Sequence, residues 1–315
     1  VTRPSRYAGR IACAFVFLVA FLFPITGSTF MNNQEIRARL VLEAYRRSYP
    51  DRIDSIEFRD GDWTVSVAGS RFYWANGRLM PEKERASWAK HLPYVFYAYP
   101  DRIRDPRTYS EAYVETLRAE GEAEARISGE DHHNGFRAAL YGSSSRAGAE
   151  RQLVKVSLFS RSVSVHRMVA DAVRRVDARV ARIAERDPET AAFLKNIGPM
   201  GGYNWREIRG TTRRSFHSWG LAIDIQPRKL GSQVIFWEWE RQRNPDWMLV
   251  PPERRWRPPE AVVEAFEAEG FAWGGKWELY DPMHFEYRPE LFEMNKVLAT
   301  LGGNDAGGGR TPGGS

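Results

Sequence analysis

The spacing of apolar residues changes several times along the chain, and each change marks an element. From Asn32 or Asn33, either of which can cap a helix, Ile36, Leu40, Val41, Ala44 and Tyr45 recur at helical spacing to about Tyr49. Short runs at 55–58, 63–67 and 71–74 then read as strands. Asp60-Gly61, Gly69-Ser70 and Asn76-Gly77 supply the turns of a meander. Pro81 predicts a helix reaching about Leu92, and a charged helix is predicted over 110–126. Ser and Gly crowd 142–148, which reads as a linker and a place to divide the chain. Val154, Val156 and Leu158 alternate with Lys155 and Ser157 as in a strand. Helical spacing returns with Val169, Ala172, Val173, Val176, Val180 and Ile183, and His166 stands at the start of that helix. Asp187-Pro188-Glu189 caps a second helix ending near Asn196, and a third is predicted over 259–269.

Two stretches carry chemistry as well as pattern. The first is Ser215-Phe216-His217-Ser218-Trp219-Gly220-Leu221-Ala222-Ile223-Asp224. In a strand, Leu221, Ile223 and Ile225 face one way, and Ala222, Asp224 and Gln226 the other. Gly220 permits a bend that turns His217 back toward Asp224, and Ala222 leaves room beside the carboxylate. An imidazole and a carboxylate converging over small residues suit two ligands of a zinc site. A capped turn before a half-buried strand fits this stretch equally well.

The second stretch closes with Asp281-Pro282-Met283-His284-Phe285-Glu286-Tyr287. Alternation puts Phe285 and Tyr287 on one face, His284 and Glu286 on the other. His217, Asp224 and His284 then make three ligands, leaving a fourth position open. Asp281, three residues before His284, stands where a general base would. Glu286 is placed to hydrogen-bond a ligand imidazole. The competing reading is a buried polar strand end with His and Asp paired.

Composition narrows the choice. Cys13 is the single cysteine and lies in an N-terminal apolar segment. A disulfide framework and a thiolate zinc site are therefore excluded, and any metal must be held by His and carboxylate. The net charge of +6 is interleaved with acids, as in Arg241-Gln242-Arg243-Asn244-Pro245-Asp246. That is a solvated surface, and no nucleic-acid partner is expected. His132 and His133 are adjacent, so their side chains diverge, which argues against joint metal binding. Residues 1–28 combine Arg3, Arg6 and Arg10 with an apolar run from Ile11 to Phe23 and the small residues Thr26-Gly27-Ser28. They read as a signal peptide or N-terminal membrane anchor, the run being short of the about 20 residues of a bilayer span. The bulk of the chain is thus expected to be exported, periplasmic or associated with the cell envelope. The rest divides into a mixed α/β region of unassigned role (29–148), a zinc domain (149–301) and a disordered Gly-rich tail (302–315).

Ser215, His217, Gly220, Ala222 and Asp224 fit the pattern Ser-x-His-x-x-Gly-x-Ala-x-Asp, and Asp281 and His284 fit a later carboxylate-x-x-His. With Trp273-Gly274-Gly275-x-Trp277, these residues make the chain resemble the zinc D-alanyl-D-alanine carboxypeptidases and their L-alanyl-D-glutamate endopeptidase relatives, which act on bacterial peptidoglycan. The resemblance covers about 203–287 well, 154–196 loosely, and nothing in 29–150. It implies a mixed fold of helix and sheet, with a small antiparallel sheet carrying one zinc ion and helices on its back; with the smaller mixed helix/meander region that patterning places before it, the expected class is α+β. It implies an exported metallopeptidase that hydrolyses an amide bond of stem peptides, with Asp281 as base. It also implies an Arg upstream of His217 that holds substrate and oxyanion. Arg206 fits that place best, and Arg209 is its rival. Ser215 is assigned to positioning substrate or orienting His217. The carboxypeptidases commonly carry Glu where Asp281 stands and the endopeptidases Asp, which tilts the reading toward the latter. The alternative is a catalytically silent, zinc-containing wall-binding or signalling module, against which an intact Asp281 argues.

Overall fold

The computed structural model describes residues 33–303, apart from 123–130, 210 and 212. The expected signal peptide or anchor (1–28) and residues 304–315 of the expected tail lie outside the described residues, while Gly302 and Gly303 end the last helix. No helix among the described residues is long and apolar enough to cross a membrane.

Helix α1 (Asn33–Ser48) buries Ala38, Val41, Leu42 and Tyr45, close to the predicted stripe. Strands β1 (Ile53–Arg59), β2 (Asp62–Val67) and β3 (Ser70–Tyr73) form the expected meander. A short β4 (Met80–Pro81) completes an antiparallel sheet in the order β1-β2-β3-β4. The helix predicted from Pro81 is a correction: Glu82–Lys90 is 3-10 and buries no residue. Its sequence has no apolar stripe at i, i+3, i+4, so an α-helix there would gain nothing from packing. Helix α2 (Glu111–Gly121) is capped by Ser110, which accepts from the Tyr113 N–H.

Helices α3 (Gly135–Leu140) and α4 (Arg146–Glu150) follow. The linker reading of 142–148 is a second correction. Ser145 caps α4 by accepting from the Gly148 N–H, and Gly148 and Ala149 are buried. Ser143 is buried as well, Gly142 takes a turn at φ +67°, and Ser144 and Ser145 are exposed. Residues on both sides of this segment, from Tyr45 to Phe271 and Leu291, share one hydrophobic core.

Strand β5 (Leu153–Leu158) pairs with β6 (Arg161–His166) in a hairpin. Its turn places Phe159 and Ser160 at positive φ, residue types that gave no turn signal. Helix α5 (Ala170–Ala184) buries Ala172, Val173, Val176 and Val180 as expected. Helix α6 (Pro188–Asn196) starts at Asp187, whose carboxylate accepts from Glu189 and Thr190.

The second sheet joins β7 (Ile197–Gly201), β8 (Ala222–Pro227), β9 (Phe271–Trp273) and β10 (His284–Tyr287) in the antiparallel order β7-β8-β10-β9. Between β8 and β9 lie α7 (Trp237–Arg241) and α8 (Glu260–Glu267). Phe266 of α8 stacks on Phe285 of β10 at 4.0 Å between ring centroids, so a helix covers the apolar face of this sheet. The final helix α9 (Pro289–Gly303) packs against α1. The fold is α+β, with small antiparallel sheets and a possible His/Asp metal site on the second of them.

Candidate metal centre

The register of β8 against β10 sets the site. His284 lies opposite Asp224, Phe285 opposite Ile223, and Glu286 opposite Ala222. Ile225 N–H donates to the Met283 carbonyl and Tyr287 N–H to that of Leu221, both at 2.8 Å. Alternation then makes His284/Asp224 a non-hydrogen-bonded pair, where Cα atoms approach to about 4.5 Å and side chains crowd. Two candidate ligands thus meet across a single cross-strand pair, while Phe285 points into the core.

The third comes from a turn. Phe216–Trp219 form one 3-10 turn, and the Ser215 hydroxyl accepts from the His217 N–H. Gly220 ends the turn at φ +69°, and its carbonyl accepts from His166 of β6 at 2.8 Å. A Cβ there would lie 2.7 Å from the His166 nitrogen, so position 220 needs both the left-handed conformation and the missing side chain.

His217 Nε2, Asp224 Oδ1 and His284 Nδ1 converge. They stand 3.3 Å (His217–His284), 3.0 Å (His284–Asp224) and 3.2 Å (His217–Asp224) apart. Ligand atoms about 2.0–2.1 Å from a tetrahedral zinc are separated by about 3.3 Å. The three edges therefore fit one face of such a tetrahedron. Tautomers agree as well. His217 Nδ1 lies 2.6 Å from the Gly202 carbonyl, which accepts its proton, leaving the Nε2 lone pair for the centre. His284 Nε2 lies 3.2 Å from Glu286 Oε2, which likewise leaves Nδ1 for the centre. Burial opposes charge on both His284 and Asp224, but their mutual contacts win. The carboxyl of Asp224 is held far below its usual range by His217 and His284. Asp224 and Glu286 raise His284 to about 10. A proton and a metal ion would compete for the same Nδ1 lone pair, so metal uptake there would release a proton.

Asp281 is held beside the trio by backbone. Its N–H donates to the Gly274 carbonyl, and its own carbonyl accepts from His284, each at 2.9 Å. A Cβ on Gly274 would sit 2.6 Å from the Asp281 carbonyl, which explains a glycine in the Trp-Gly-Gly run. Trp273 Nε1 donates to the Pro282 carbonyl at 2.7 Å and fixes the same loop. The Asp281 Oδ1 is sheltered from solvent and has no hydrogen-bond partner. Burial pushes this carboxyl up to about 7; His284 opposes the rise, the Asp224 carboxylate adds to it, and Arg206 opposes it. An orphaned carboxylate oxygen beside three converging donors fits a centre that takes a cation and a polar substrate.

Arg206 is exposed, and its backbone is stapled to the His217 turn. Ser218 Oγ donates to the Arg206 carbonyl at 2.7 Å and accepts from its N–H at 3.0 Å. Its charge reaches Asp281. Arg209 instead lies 3.8 Å from Glu238 of α7. His132 and His133 diverge as expected: His132 Nδ1 meets the Leu92 carbonyl at 3.1 Å, His133 Nε2 meets Glu84 at 3.1 Å. His166 caps the turn leading into α5. Sequence reasoning missed the Gly202 carbonyl and a buried chain of charges behind His284. The charges Glu286, Arg288 and Glu290, close together after His284, were the available signal, since charges buried where β10 passes into α9 require partners.

Residues 209–287 match a family model described as D-alanyl-D-alanine carboxypeptidase. Residues 41–96 match a domain of unknown function. No curated protein and no solved structure matches the chain.

Proposed function

We propose that the chain is an exported zinc peptidase that hydrolyses an amide bond in peptidoglycan stem peptides. The observation that carries this reading is the trio at tetrahedral spacing beside a sheltered, unpartnered Asp281 carboxylate oxygen. The match of 209–287 supports the peptidase class. His217, Asp224 and His284 would hold the ion. What zinc supplies when bound there is Lewis acidity, which polarises the scissile carbonyl and lowers the pKa of water toward about 7. Asp281 takes the proton of the attacking water and returns it to the leaving amine. Arg206, whose guanidinium is exposed and whose charge reaches the base, holds a substrate carboxylate or the developing oxyanion. Ser215 acts on the His217 turn: its hydroxyl is buried against the His217 N–H, which supports an orienting role over substrate contact. Asp at position 281 favours the L-alanyl-D-glutamate endopeptidase type over the D-Ala-D-Ala carboxypeptidase type.

The test is incubation of the purified chain with peptidoglycan sacculi, followed by mass spectrometry of released termini. New termini that vanish with chelator and return with zinc support the reading. Zinc binding without any cleavage would favour the silent wall-binding module.

A further inference from the structure

We infer that the N-terminal region, including the segment that matches a domain of unknown function, sets the metal affinity of the centre through a relay of buried hydrogen bonds ending on His284. This rests on the zinc reading above. The relay begins at His284 Nε2, 3.2 Å from Glu286 Oε2. Arg288 Nη1 donates to Glu286 Oε1 at 3.1 Å, and Arg288 Nε donates to Glu290 Oε1 at 2.5 Å. Two groups of the N-terminal region close it: the Val95 carbonyl accepts from Arg288 Nη2 at 3.1 Å, and Tyr49 OH donates to Glu290 Oε2 at 3.3 Å. Glu286, Arg288, Glu290 and Tyr49 are all at least nine-tenths buried. Four buried polar side chains in sequence are stable only if each is paired, so losing one end disturbs the other.

Two further contacts come from the same region. Tyr97 OH accepts from Trp277 Nε1 at 2.7 Å, and the Trp277 ring lies 5.6 Å from the His284 ring. Arg137 places its guanidinium 4.9 Å from the Phe216 ring and 5.9 Å from that of Trp219, on either side of the His217–Ser218 step. Both ligand imidazoles are thus braced from residues that precede the peptidase match. Arg288 is a positioning residue: it holds Glu286, and Glu286 fixes which His284 nitrogen faces the metal.

The experiment uses the full chain and measures zinc affinity by competition with a chromophoric chelator, and the visible spectrum of the cobalt-substituted protein. Arg288→Met is expected to weaken zinc by about 10-fold or more, as loss of groups that orient ligands does. Tyr49→Phe and Tyr97→Phe each remove one hydroxyl and are expected to weaken it about 3-fold, within the range of one buried hydrogen bond. All three should shift the cobalt bands, and Arg288→Lys should recover part of the loss. Should Arg288→Met not fold, the two Phe variants still decide. Unchanged zinc affinity and unchanged cobalt bands in the folded Phe variants overturn the inference. A wild type that binds no zinc overturns the function as well. A wild type that binds zinc and cleaves nothing, with these losses in the variants, overturns the function alone and upholds this inference.

Discussion

Gly220→Ala measures how tightly the His217 turn is held. Residue 220 sits at φ +69°, where an L side chain costs roughly 1–2 kcal/mol. The added Cβ would also stand 2.7 Å from the His166 nitrogen and 3.1 Å from the Val165 carbonyl carbon. These are backbone atoms of β6 and cannot swing aside. Moving β6 away stretches the 2.8 Å bond from His166 N–H to the Gly220 carbonyl, and an unpaired buried N–H adds about 1–3 kcal/mol. Together the expected loss is about 2–5 kcal/mol. Gly69→Ala supplies the control, because Gly69 has φ +74° with nothing within 4 Å of an added Cβ. It should lose only the conformational part, about 1–2 kcal/mol. Urea unfolding in the presence of chelator gives both values from midpoint and slope. Zinc affinity should fall for Gly220→Ala and stay unchanged for Gly69→Ala. Equal destabilisation of the two variants would refute the close-approach argument.

Asp281→Asn should keep its zinc content yet lose about 10²–10⁴ in kcat on muropeptides, as expected for loss of a general base; metal analysis beside a rate assay checks both halves. Arg206→Ala should lower kcat by about 10²–10³ and Arg209→Ala should leave it within a few-fold; the reverse order would exchange their roles. His132 gives a pH dependence away from the centre. Burial pulls its imidazole down to about 3, the charges of Arg137, Arg213 and Arg288 add to this, and the Leu92 carbonyl opposes it. Below the unfolded value of about 6.5, the unfolded chain binds a proton that the folded one refuses, so stability falls with acid by about 1.4 kcal/mol per pH unit. His132→Gln should therefore lose about 2 kcal/mol less than wild type between pH 7 and pH 5, read from urea midpoints, and parallel curves would sink the assignment.

The site was more legible than the scaffold because its signals are local. Ser215 to Asp224 states a capped turn, a glycine bend and an alternating strand within ten residues, and all three are present. What the sequence does not state is that β8 and β10 are neighbours with His284 opposite Asp224, although the chemistry of the residues required it. Local cues misled where composition had a second meaning. Gly and Ser at 142–148 supply a turn and a helix cap, and Pro81 precedes 3-10 turns. Strands β6, β7 and β9 were not predicted: β7 is broken by Gly198 and Pro199, β9 has three residues, and β6 turns on a Phe and a Ser. The link from Tyr49 to Glu290 crosses nearly the whole described chain, and no local pattern encodes it.

Neighbouring strands β8 and β10 are joined by a long excursion of chain from Arg228 to Met283, which re-enters the sheet first as β9 at its edge. The register of the two strands is fixed by their own ladder and by the packing of Phe285, not by the length of that excursion. For a flexible loop, doubling the length costs only about 0.6 kcal/mol in closure entropy. The exposed turns of the excursion can therefore change in length while the ion-holding pair stays in place, but Trp237 and Trp247 are tied to Tyr280, one residue before Asp281, by bonds of 3.1 and 3.3 Å. A change in that segment's two tryptophans would therefore be felt first at the proposed base, and only afterwards at the ligands.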